Sequence, residues 1–387
     1  MRVALVDPSL FTLPYDLALA AGLRAGGHQA TLYGRRPRPA DGGTYETGLV
    51  ASFYPIAESR LAAALPAPLR LGVKGVDHLL SMARLRRILQ VRAHRPDIIH
   101  FQWLPLPLAD QRLLGAFRAI APLVLTVHDT NPFNGSPTSR VQRLGMSGCL
   151  AAFDRLIVHT EQGRGRLIAQ GVPESRIAAM PHGPLAAPPE LAEDRMDGVL
   201  TFLCFGKIKP YKGLDLAIEA FARLPTALRR SARLRIVGQP YMDLAPLRQL
   251  ATERGVDVAI EPRFVPDAEL PHIFGAGVVA LFPYREIEAS GVLSLAVSLG
   301  RPVVATRIGG FAESLRDGEQ ALLVPPDDSG ALAAAMSHLL ADRNLARRCA
   351  TGMRALAAGQ PGWEEIGRRT AALYARLRAR DAKRCAA

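Results

Sequence analysis

The chain alternates short apolar runs with longer segments that carry apolar residues at helical spacing. In the N-terminal half the runs are rich in Val, Ile and Leu and read RVALVD, QATLYG, IIHFQW, LVLTVHD, RLIVHT and RIAAMPHG. Runs without polar alternation indicate strands buried on both faces, which is typical of parallel sheets covered by helices. We therefore predict a six-stranded, doubly wound α/β domain in this half.

The C-terminal half repeats the pattern with six further runs: LTFLCFG, LRIVGQ, VDVAIEP, VVALFPY, PVVATRIG and ALLVPP. A length of 387 residues also favours two domains over one. The pattern thus predicts an α/β protein with two doubly wound, Rossmann-like domains. In such domains ligands bind at the carboxyl ends of the strands.

A segment without periodicity separates the two series. It reads PLAAPPELAEDRMDG over residues 184–198, is rich in proline and charge, and is typical of an interdomain linker. We predict domains over residues 1–190 and 191–387, with a ligand cleft between them. The last helical pattern carries a stripe that could pack back on the N-terminal domain, formed by Trp363, Ile366, Leu373, Tyr374 and Leu377.

The segment from Glu58 to Arg95 admits two interpretations. It has apolar residues at helical spacing and basic residues toward its end, namely Arg84, Arg86, Arg87, Arg92 and Arg95. Such a helix is typical of a surface that touches an anionic membrane. The pattern also fits a crossover helix packed on the sheet with its arginines in water, and we favour this second interpretation.

The net charge indicates which partners the protein surface attracts. The net charge is +13, and residues 1–190 hold 21 basic against 13 acidic residues. Such a surface attracts polyanions or anionic lipid, although an Arg-rich composition with solvated side chains explains it equally well. We expect no nucleic-acid partner, because few aromatic residues are available for stacking on bases.

The cysteines and the apolar runs indicate a cytoplasmic protein. Cys149, Cys204, Cys349 and Cys385 show no metal or redox spacing, which fits a reducing compartment. The chain opens directly on a strand, without a signal-peptide pattern. No apolar run approaches the ~18 residues that a membrane-spanning helix needs. Peripheral contact with the inner face of an anionic membrane remains an option.

The stretch FGKIKPYKGLDLAIEAF, which begins at Phe205, predicts an anion site. Gly206 permits a tight turn after a buried strand, and an amphipathic helix begins near Gly213. The unpaired N–H groups and the dipole of a helix N-terminus favour an anion. Lys207 and Lys212 add positive charge at the same place, as a diphosphate requires. Taken alone, such lysines are more often solvated than functional.

A second stretch, PYREIEASGVLSLAVSLGRPVVATRIGGFAE, begins at Pro283. Ser290 is predicted as the N-cap of the helix GVLSLAVSL, with Gly291 and Val292 in its first turn. Gly300 is its predicted C-cap. A second helix N-terminus therefore points from the carboxyl end of the sheet. Taken alone, Ser290 is a simple cap and Glu288 a solvated loop acid.

Together these stretches resemble the nucleotide-sugar domain of the retaining glycosyltransferases of the GT-B fold, family 4. The resemblance runs in family order from about residue 200 to residue 340, through FGKIKPYKGLDLAIEAF, LRIVGQ, FVPDAEL, VVALFPYRE, ASGVLSLAVSLGRPVVAT, IGGFAE and DGEQALLVPPDD. An ordered series is far more specific than any single motif. The N-terminal half matches more loosely through DIIHFQW, VLTVHDTNPF, FDRLIVHTEQ and MPHG.

The resemblance implies roles for individual residues. Lys207, where the family usually has arginine, and Lys212, at the family's lysine, would hold the donor diphosphate next to Gly206. Ser290, Gly291 and Val292 would offer a hydroxyl and backbone donors to the phosphates. Glu288 lies nearest to the first acid of the family's paired-glutamate motif, which faces the transferred sugar.

One departure concerns the second glutamate of that motif, which usually holds the ribose hydroxyls. Alignment on Gly300 and Pro302 places Leu295 there, and the segment is one residue shorter than usual. A subgroup with SGVL shares this pattern, so the resemblance supplies no side chain for the ribose.

In the N-terminal half, His128 follows the run LVLTVHD and matches a family histidine near the transferred sugar. A lone histidine after a strand is otherwise often structural. Asp129 would orient His128. The first loop, DPSLFTLPYD, lacks the family's glycine pair, and Tyr15 and Asp16 are candidates to face the acceptor instead.

The sequence has no DxD motif in a suitable loop and no His/Cys cluster, so we expect no metal and no cofactor. We expect the lysines and the helix dipole to stabilise the departing diphosphate instead.

The resemblance implies retaining transfer of a hexose from a nucleoside-diphosphate sugar to an acceptor hydroxyl, in polysaccharide or glycolipid synthesis. Two alternatives stand. One is an epimerase or phosphorylase of the same fold. The other is a degenerate binding or partner protein, which the missing glutamate motivates. The sugar, the base (UDP or GDP type) and the acceptor stay open.

Overall fold

The computed structural model describes residues 1–38, 41, 48–130, 144–184, 196 and 198–386. The chain divides into two compact units: unit 1 comprises Met1–Gly183 and Pro361–Ala387, and unit 2 comprises Pro184–Gln360. Most of the predicted linker, residues 184–198, lies outside the described residues. The last helix, predicted within residues 191–387, belongs to unit 1.

Within its described residues, unit 1 contains one sheet of parallel strands. They are β1 Arg2–Asp7, β2 Gln29–Arg35, β3 Leu49–Phe53, β4 Ile98–Phe101, β5 Leu123–Val127, β6 Arg155–Val158 and β7 Ile177–Ala179. Their order is β3-β2-β1-β4-β5-β6-β7. The order reverses between β1 and β4, and at such a switch point the loops diverge and leave room for a ligand.

The strand β3 was not predicted, whereas the other strands of unit 1 each overlap a predicted run. The reason is its position at the edge of the sheet, where the first three residues of LVASF are half-buried or exposed. A half-exposed strand lacks the continuous apolar run that marks a central one.

The helices of unit 1 connect and cover these strands. They are α1 Leu13–Ala25, α2 Arg60–Ala63, α3 Ala67–Gln90, α4 Pro107–Arg118, α5 Met146–Ala152 and α6 Glu161–Ala169. Within the segment from Glu58 to Arg95, α3 packs Met82, Leu85 and Leu89 into the core, as the crossover-helix interpretation requires.

Unit 2 repeats the architecture in its described residues. Its strands are β8 Leu200–Phe205, β9 Ala232–Val237, β10 Val258–Glu261, β11 Val278–Phe282, β12 Val303–Thr306 and β13 Ala321–Val324. Their order is β10-β9-β8-β11-β12-β13, all parallel, with the switch point between β8 and β11. Each predicted run overlaps one of these strands, so the doubly wound α/β fold is confirmed.

The helices of unit 2 lie on both faces of this sheet, and apolar clusters fill both interfaces. They are α7 Leu214–Ala222, α8 Thr226–Arg229, α9 Ala245–Glu253, α10 Leu270–Ile273, α11 Gly291–Ser298, α12 Gly309–Ser314, α13 Ser329–Ala341 and α14 Arg343–Gly359. In the part of the chain that the structure describes, no helix combines the length and the apolar character needed to cross a bilayer.

The last helix, α15 Trp363–Ala386, packs on α1 of unit 1. The two helices approach closely through glycines, because a Cβ on Gly367 would lie 2.3 Å from the carbonyl carbon of Gly22. The predicted stripe of α15 is mostly buried, through Ile366, Leu373, Tyr374 and Leu377. In addition, the Tyr374 hydroxyl lies 2.6 Å from Nδ1 of buried His100.

Candidate functional site

The two stretches singled out in the C-terminal half meet at the switch point of unit 2. Gly206 follows β8 with φ +91°, a conformation that favours glycine. A Cβ there would lie 3.0 Å from Cγ2 of Val292 and 3.2 Å from Nζ of Lys212. The structure therefore brings Gly206, Lys212 and the first turn of α11 together around one point.

The loops after β8 and β11 are locked to each other. Gly213 has φ +61°, and a Cβ on it would lie 1.9 Å from the carbonyl oxygen of Pro283. The amide N–H of Arg285 donates to the carbonyl oxygen of Tyr211 at 2.8 Å. The Arg285 guanidinium also holds both carboxylate oxygens of Asp215 at 2.8 and 2.6 Å. These contacts hold the two loops in a definite relation before any ligand arrives.

Lys212 is the buried cation of this site, with 6% of its surface exposed. Its Nζ donates to the carbonyl oxygen of Phe205 at 2.9 Å and lies 5.2 Å from the centre of the Tyr284 ring. Burial, together with smaller effects of the charges on Lys209 and Lys207, lowers the pKa of Lys212 to about 7. No carboxylate in the described residues neutralises this ammonium, so it is suited to bind an anion.

Lys207 lies on the same loop but in a different setting. The residue is exposed, and its Nζ lies 5.9 Å from the centre of the Tyr241 ring. Desolvation of the ammonium and the nearby Lys209 lower its pKa. Lys209 itself approaches the Tyr211 ring at 5.9 Å. Of the two predicted lysines, Lys212 is therefore the one held in place beside Gly206 and Val292.

The predicted N-cap at Ser290 is confirmed. Its Oγ accepts from the amide N–H of Leu293 at 3.2 Å, and its carbonyl oxygen accepts from the amide of Ser294 at 3.1 Å. The amides of Gly291 and Val292 open α11 and by position have no acceptor within the helix. The helix ends at Ser298 with Leu299 as its C-cap, one residue before the predicted Gly300, which follows in the left-handed region at φ +60°.

Glu288 is buried, with 4% exposed, and its carbonyl oxygen accepts from the amide of Gly310 at 3.0 Å. This bond ties the loop after β11 to the start of α12. Leu295, at the position of the second family glutamate, is packed in the hydrophobic core of unit 2. A side chain at that position points into the core, which is consistent with the apolar substitution.

In unit 1, His128 follows β5 and contacts a second histidine. Its Nδ1 lies 3.3 Å from Nε2 of His159, and Nδ1 of His159 lies 3.1 Å from the carbonyl oxygen of Met180. A carbonyl can only accept, so His159 donates from Nδ1 and accepts at Nε2. His128 therefore carries its proton on Nδ1 and presents a lone pair at Nε2.

The Gln102 side chain lies next to that lone pair, with its Oε1 3.4 Å from Nε2 of His128. Two acceptors face each other in this orientation, while Nε2 of Gln102 is buried without a partner among the described residues. Rotating the amide by 180° satisfies both groups. Gln102 and His128 line a pocket together with Trp103, Leu104 and other mostly apolar side chains.

Tyr15, which is predicted to face the acceptor, packs against three histidines, His128, His159 and His182, which we call the histidine cluster. The Tyr15 ring is 4% exposed, and its centre lies 4.7 Å from that of His128, 5.1 Å from that of His159 and 5.2 Å from that of His182. Asp16 is fully buried, and Thr12 Oγ1 donates to it at 3.0 Å. Burial and the neighbouring Asp7 raise the pKa of Asp16. Asp129 lines the pocket beside His128.

The histidines of the cluster are held neutral. Burial lowers the pKa of His159 to about 3, and burial together with the other histidines lowers the pKa of His128. Burial also lowers the pKa of His182, although a hydrogen bond to the carbonyl oxygen of Gly183 opposes this. Neutral imidazoles with a set proton position are suited to accept or donate one hydrogen bond at a defined atom.

Sequence reasoning singled out His128 and missed His159 and His182. The signal was present, because His128, His159 and His182 each stand just beyond the end of successive strands β5, β6 and β7, in VHD, VHT and MPHG. These strands are neighbours in the sheet. Because carboxyl ends of parallel strands share one edge, such histidines must come close together. In the described residues, no group of three His, Cys, Asp or Glu side chains could hold a metal ion.

Two protein-family models match this chain, one in each half. The family model "Glycosyl transferase 4-like domain" matches residues 14–183, and "Glycosyl transferases group 1" matches residues 199–342. The D-inositol 3-phosphate glycosyltransferase of Acidothermus cellulolyticus is 32% identical over 273 residues, 63% of this chain and 59% of the relative. That of Frankia alni is 31% identical over 311 residues, 71% of this chain and 74% of the relative.

Among solved structures, Anabaena Alr3699/HepE in complex with UDP and glucose is similar with a TM-score of 0.71 at 18% identity, covering 97% of this chain and 99% of that one. This likeness shows the fold. The match to the Acidothermus relative covers less than two thirds of that relative's length, whereas the Frankia relative is covered more fully. The chain therefore belongs to the family-4-type glycosyltransferases, the glycosyl transferases group 1.

Proposed function

We propose that this chain is a retaining, metal-independent hexosyltransferase. It moves a hexose from a nucleoside-diphosphate sugar to an acceptor hydroxyl in polysaccharide or glycolipid synthesis. The observation that carries the proposal is the position of Lys212, a buried ammonium beside Gly206 and the first turn of α11 at the switch point of unit 2. A diphosphate is the part of such a donor that complements this site.

The chemistry follows from that position. The bond between the sugar C1 and the diphosphate oxygen breaks, the acceptor oxygen bonds to C1, and the hydroxyl proton leaves with the diphosphate. Negative charge grows on the departing oxygens in an oxocarbenium-like transition state. Lys212, Lys207 and the donors of Ser290, Gly291 and Val292 stabilise that charge. Following the family resemblance, we assign catalytic roles to His128 and Glu288 at the transferred sugar.

The related proteins suggest which ligands to test. HepE structures contain UDP, UDP-glucose or glucose, and a Mycolicibacterium smegmatis relative is named as a GDP-mannose-dependent mannosyltransferase of phosphatidylinositol monomannoside. We propose a UDP- or GDP-hexose donor and a glycan or lipid-linked acceptor for this chain. Peripheral contact with an anionic membrane at its cytoplasmic face belongs to the same proposal. So does membership of a subgroup with SGVL in place of the full glutamate pair.

Calorimetry with UDP-glucose and GDP-mannose tests the donor site. We expect Lys212→Ala to weaken donor binding more than tenfold, about 1.4 kcal/mol. The control is Lys209→Ala, a lysine on the same loop whose ammonium lies near Tyr211; it should bind like the wild type. Equal affinity in wild type and Lys212→Ala would contradict the proposal.

Turnover separates the alternatives. Release of nucleoside diphosphate that requires an acceptor supports a transferase. Conversion of the donor to a stereoisomer without an acceptor would instead indicate an epimerase. Tight donor binding without turnover over a panel of inositol phosphates and lipid-linked sugars would indicate a binding protein.

A further inference from the structure

Helix α3 of unit 1 carries two apolar faces. The inner one packs on the sheet through Met82, Leu85 and Leu89. On the opposite side, Leu69, Val76 and Leu80 are 59%, 60% and 52% exposed. With the half-buried Val73 they follow the spacing i, i+4, i+7 and i+11, which is one stripe of a helix. A helix that only covers a sheet needs one apolar stripe, so the second one calls for another partner.

Basic side chains continue this surface. Arg84, Arg86 and Arg87 are exposed in the last turns of α3. None of them forms an ion pair in the part of the chain that the structure describes. We call Leu69, Val76, Leu79, Leu80, Arg84, Arg86 and Arg87 the α3 outer surface.

The two carboxylates within residues 58–95 are engaged away from these arginines. The acidic residues between positions 58 and 95 are Glu58 and Asp77. Glu58 pairs with Arg38 at 2.7 Å, while Asp77 is buried and accepts from the amides of Ile56 and Ala57. The segment that carries the surface is therefore apolar and basic, with both of its own carboxylates engaged elsewhere.

We propose that the α3 outer surface docks on an anionic lipid bilayer. The leucines and the valine enter the interfacial region, and the arginines contact lipid phosphates. Charge favours this occupant over a second copy of the chain, because a symmetric contact would oppose like charges on two molecules that each carry +13. The inference extends the proposed function and rests on it only for the lipid-linked acceptor.

Co-sedimentation with vesicles tests the docking without any nucleotide sugar. We expect the wild type to bind vesicles of phosphatidylcholine mixed with phosphatidylglycerol, and to bind pure phosphatidylcholine at least about tenfold more weakly. The triple variant Leu69→Ser, Val76→Ser, Leu80→Ser should lose about tenfold or more in affinity for the anionic vesicles. The variant Arg84→Glu, Arg86→Glu, Arg87→Glu should do the same.

The matched control is Arg230→Glu, Arg233→Glu, Arg248→Glu, which changes the net charge equally at exposed positions of unit 2. We expect it to bind like the wild type. Equal loss in the control would mean that net charge alone drives binding, and would overturn the proposal. Vesicle binding by the serine variant at the wild-type level would also overturn the proposal. The same holds if light scattering finds that the wild type forms dimers at high concentration and that the serine variant does not.

Circular dichroism and thermal unfolding show whether each variant is folded. Calorimetry with the donor sugar then separates the two proposals. A protein that binds the donor but not the vesicles contradicts only the docking of the α3 outer surface. A protein that binds the vesicles but not the donor contradicts only the transferase assignment.

Discussion

Nε2 of His159 lies 3.3 Å from Nδ1 of His128, and this contact sets which nitrogen of His128 carries the proton. The carbonyl oxygen of Met180 can only accept a hydrogen bond, so Nδ1 of His159 must be the donor and Nε2 of His159 the acceptor. His159 is thereby a positioning residue, since it acts on the proposed chemistry through His128.

We expect His159→Phe to lower kcat by about tenfold or more while leaving the affinity for the nucleotide sugar unchanged, because the lysine site lies in unit 2. The conservative variant His159→Gln keeps one amide donor and one carbonyl acceptor and should retain more activity. Nitrogen NMR of His128 gives a direct readout, with the proton on Nδ1 in the wild type and a mixture of tautomers in His159→Phe. An unchanged tautomer in that variant would contradict the assignment.

Donor affinity should depend on pH through Lys212. Its pKa is about 7 in the free protein, and a bound diphosphate raises that pKa by Coulomb attraction. Affinity should therefore be constant below pH 7 and fall by up to about tenfold per pH unit above it, as the ammonium must first regain its proton. Calorimetry from pH 6 to 9 in buffers of different ionisation enthalpy measures the proton taken up.

The control for that experiment is Lys212→Arg, whose guanidinium stays charged over the whole range. This variant should lose the pH dependence even if its affinity is lower. A wild-type affinity that is constant from pH 6 to 9 would argue against Lys212 as the phosphate ligand.

Lys212 should also make the free energy of unfolding of the ligand-free protein depend on pH. The folded-state pKa of Lys212 lies below its ordinary value, so between about pH 7 and 10 the unfolded chain holds the extra proton. The contribution of Lys212 to the free energy of unfolding thus rises with pH across this window, by at most about 1.4 kcal/mol per unit. In urea titrations, the free energy of unfolding of the wild type should therefore rise from pH 7 to 9 relative to that of Lys212→Met. A difference independent of pH would show that the ammonium is not desolvated.

Gly206 should be needed for the donor site rather than for the turn alone. An alanine there must adopt φ +91° and would crowd Val292 and Lys212. Gly318 has φ +78° but open space around its Cβ position, which makes Gly318→Ala a matched control for backbone strain. We expect a loss of about 1 kcal/mol of stability in both variants, with donor affinity lowered about tenfold only in Gly206→Ala. Calorimetry that finds both variants equally weakened would point to strain alone.

The contact between α1 and α15 should depend on Gly367. A Cβ there would overlap the backbone of Gly22, so Gly367→Ala should cost about 2 kcal/mol or more in the free energy of unfolding. Gly75 in α3 has open space around its Cβ position, and Gly75→Ala should stabilise by about 0.5–1 kcal/mol. Urea unfolding of both variants measures the contrast. Equal effects would show that the helices do not meet through their glycines.

The hydrophobic pattern was sufficient to predict the repeated α/β fold, because strands buried on both faces must be apolar throughout. The residue types serine and glycine predicted the cap at Ser290 and the turn at Gly206, since these features depend on a few neighbouring residues. The edge strand β3 escaped this reasoning because half of it is exposed.

The three-dimensional packing establishes which residues are in contact. It selected Lys212 over Lys207 as the buried cation, because the depth of a side chain depends on the loops packed around it. It joined α15 to unit 1 through Gly22 and Gly367, and it gathered His128, His159 and His182 around Tyr15. It also left the outer stripe of α3 uncovered. Contacts between residues far apart in the chain leave little trace in local periodicity, so these relations had to be seen in three dimensions.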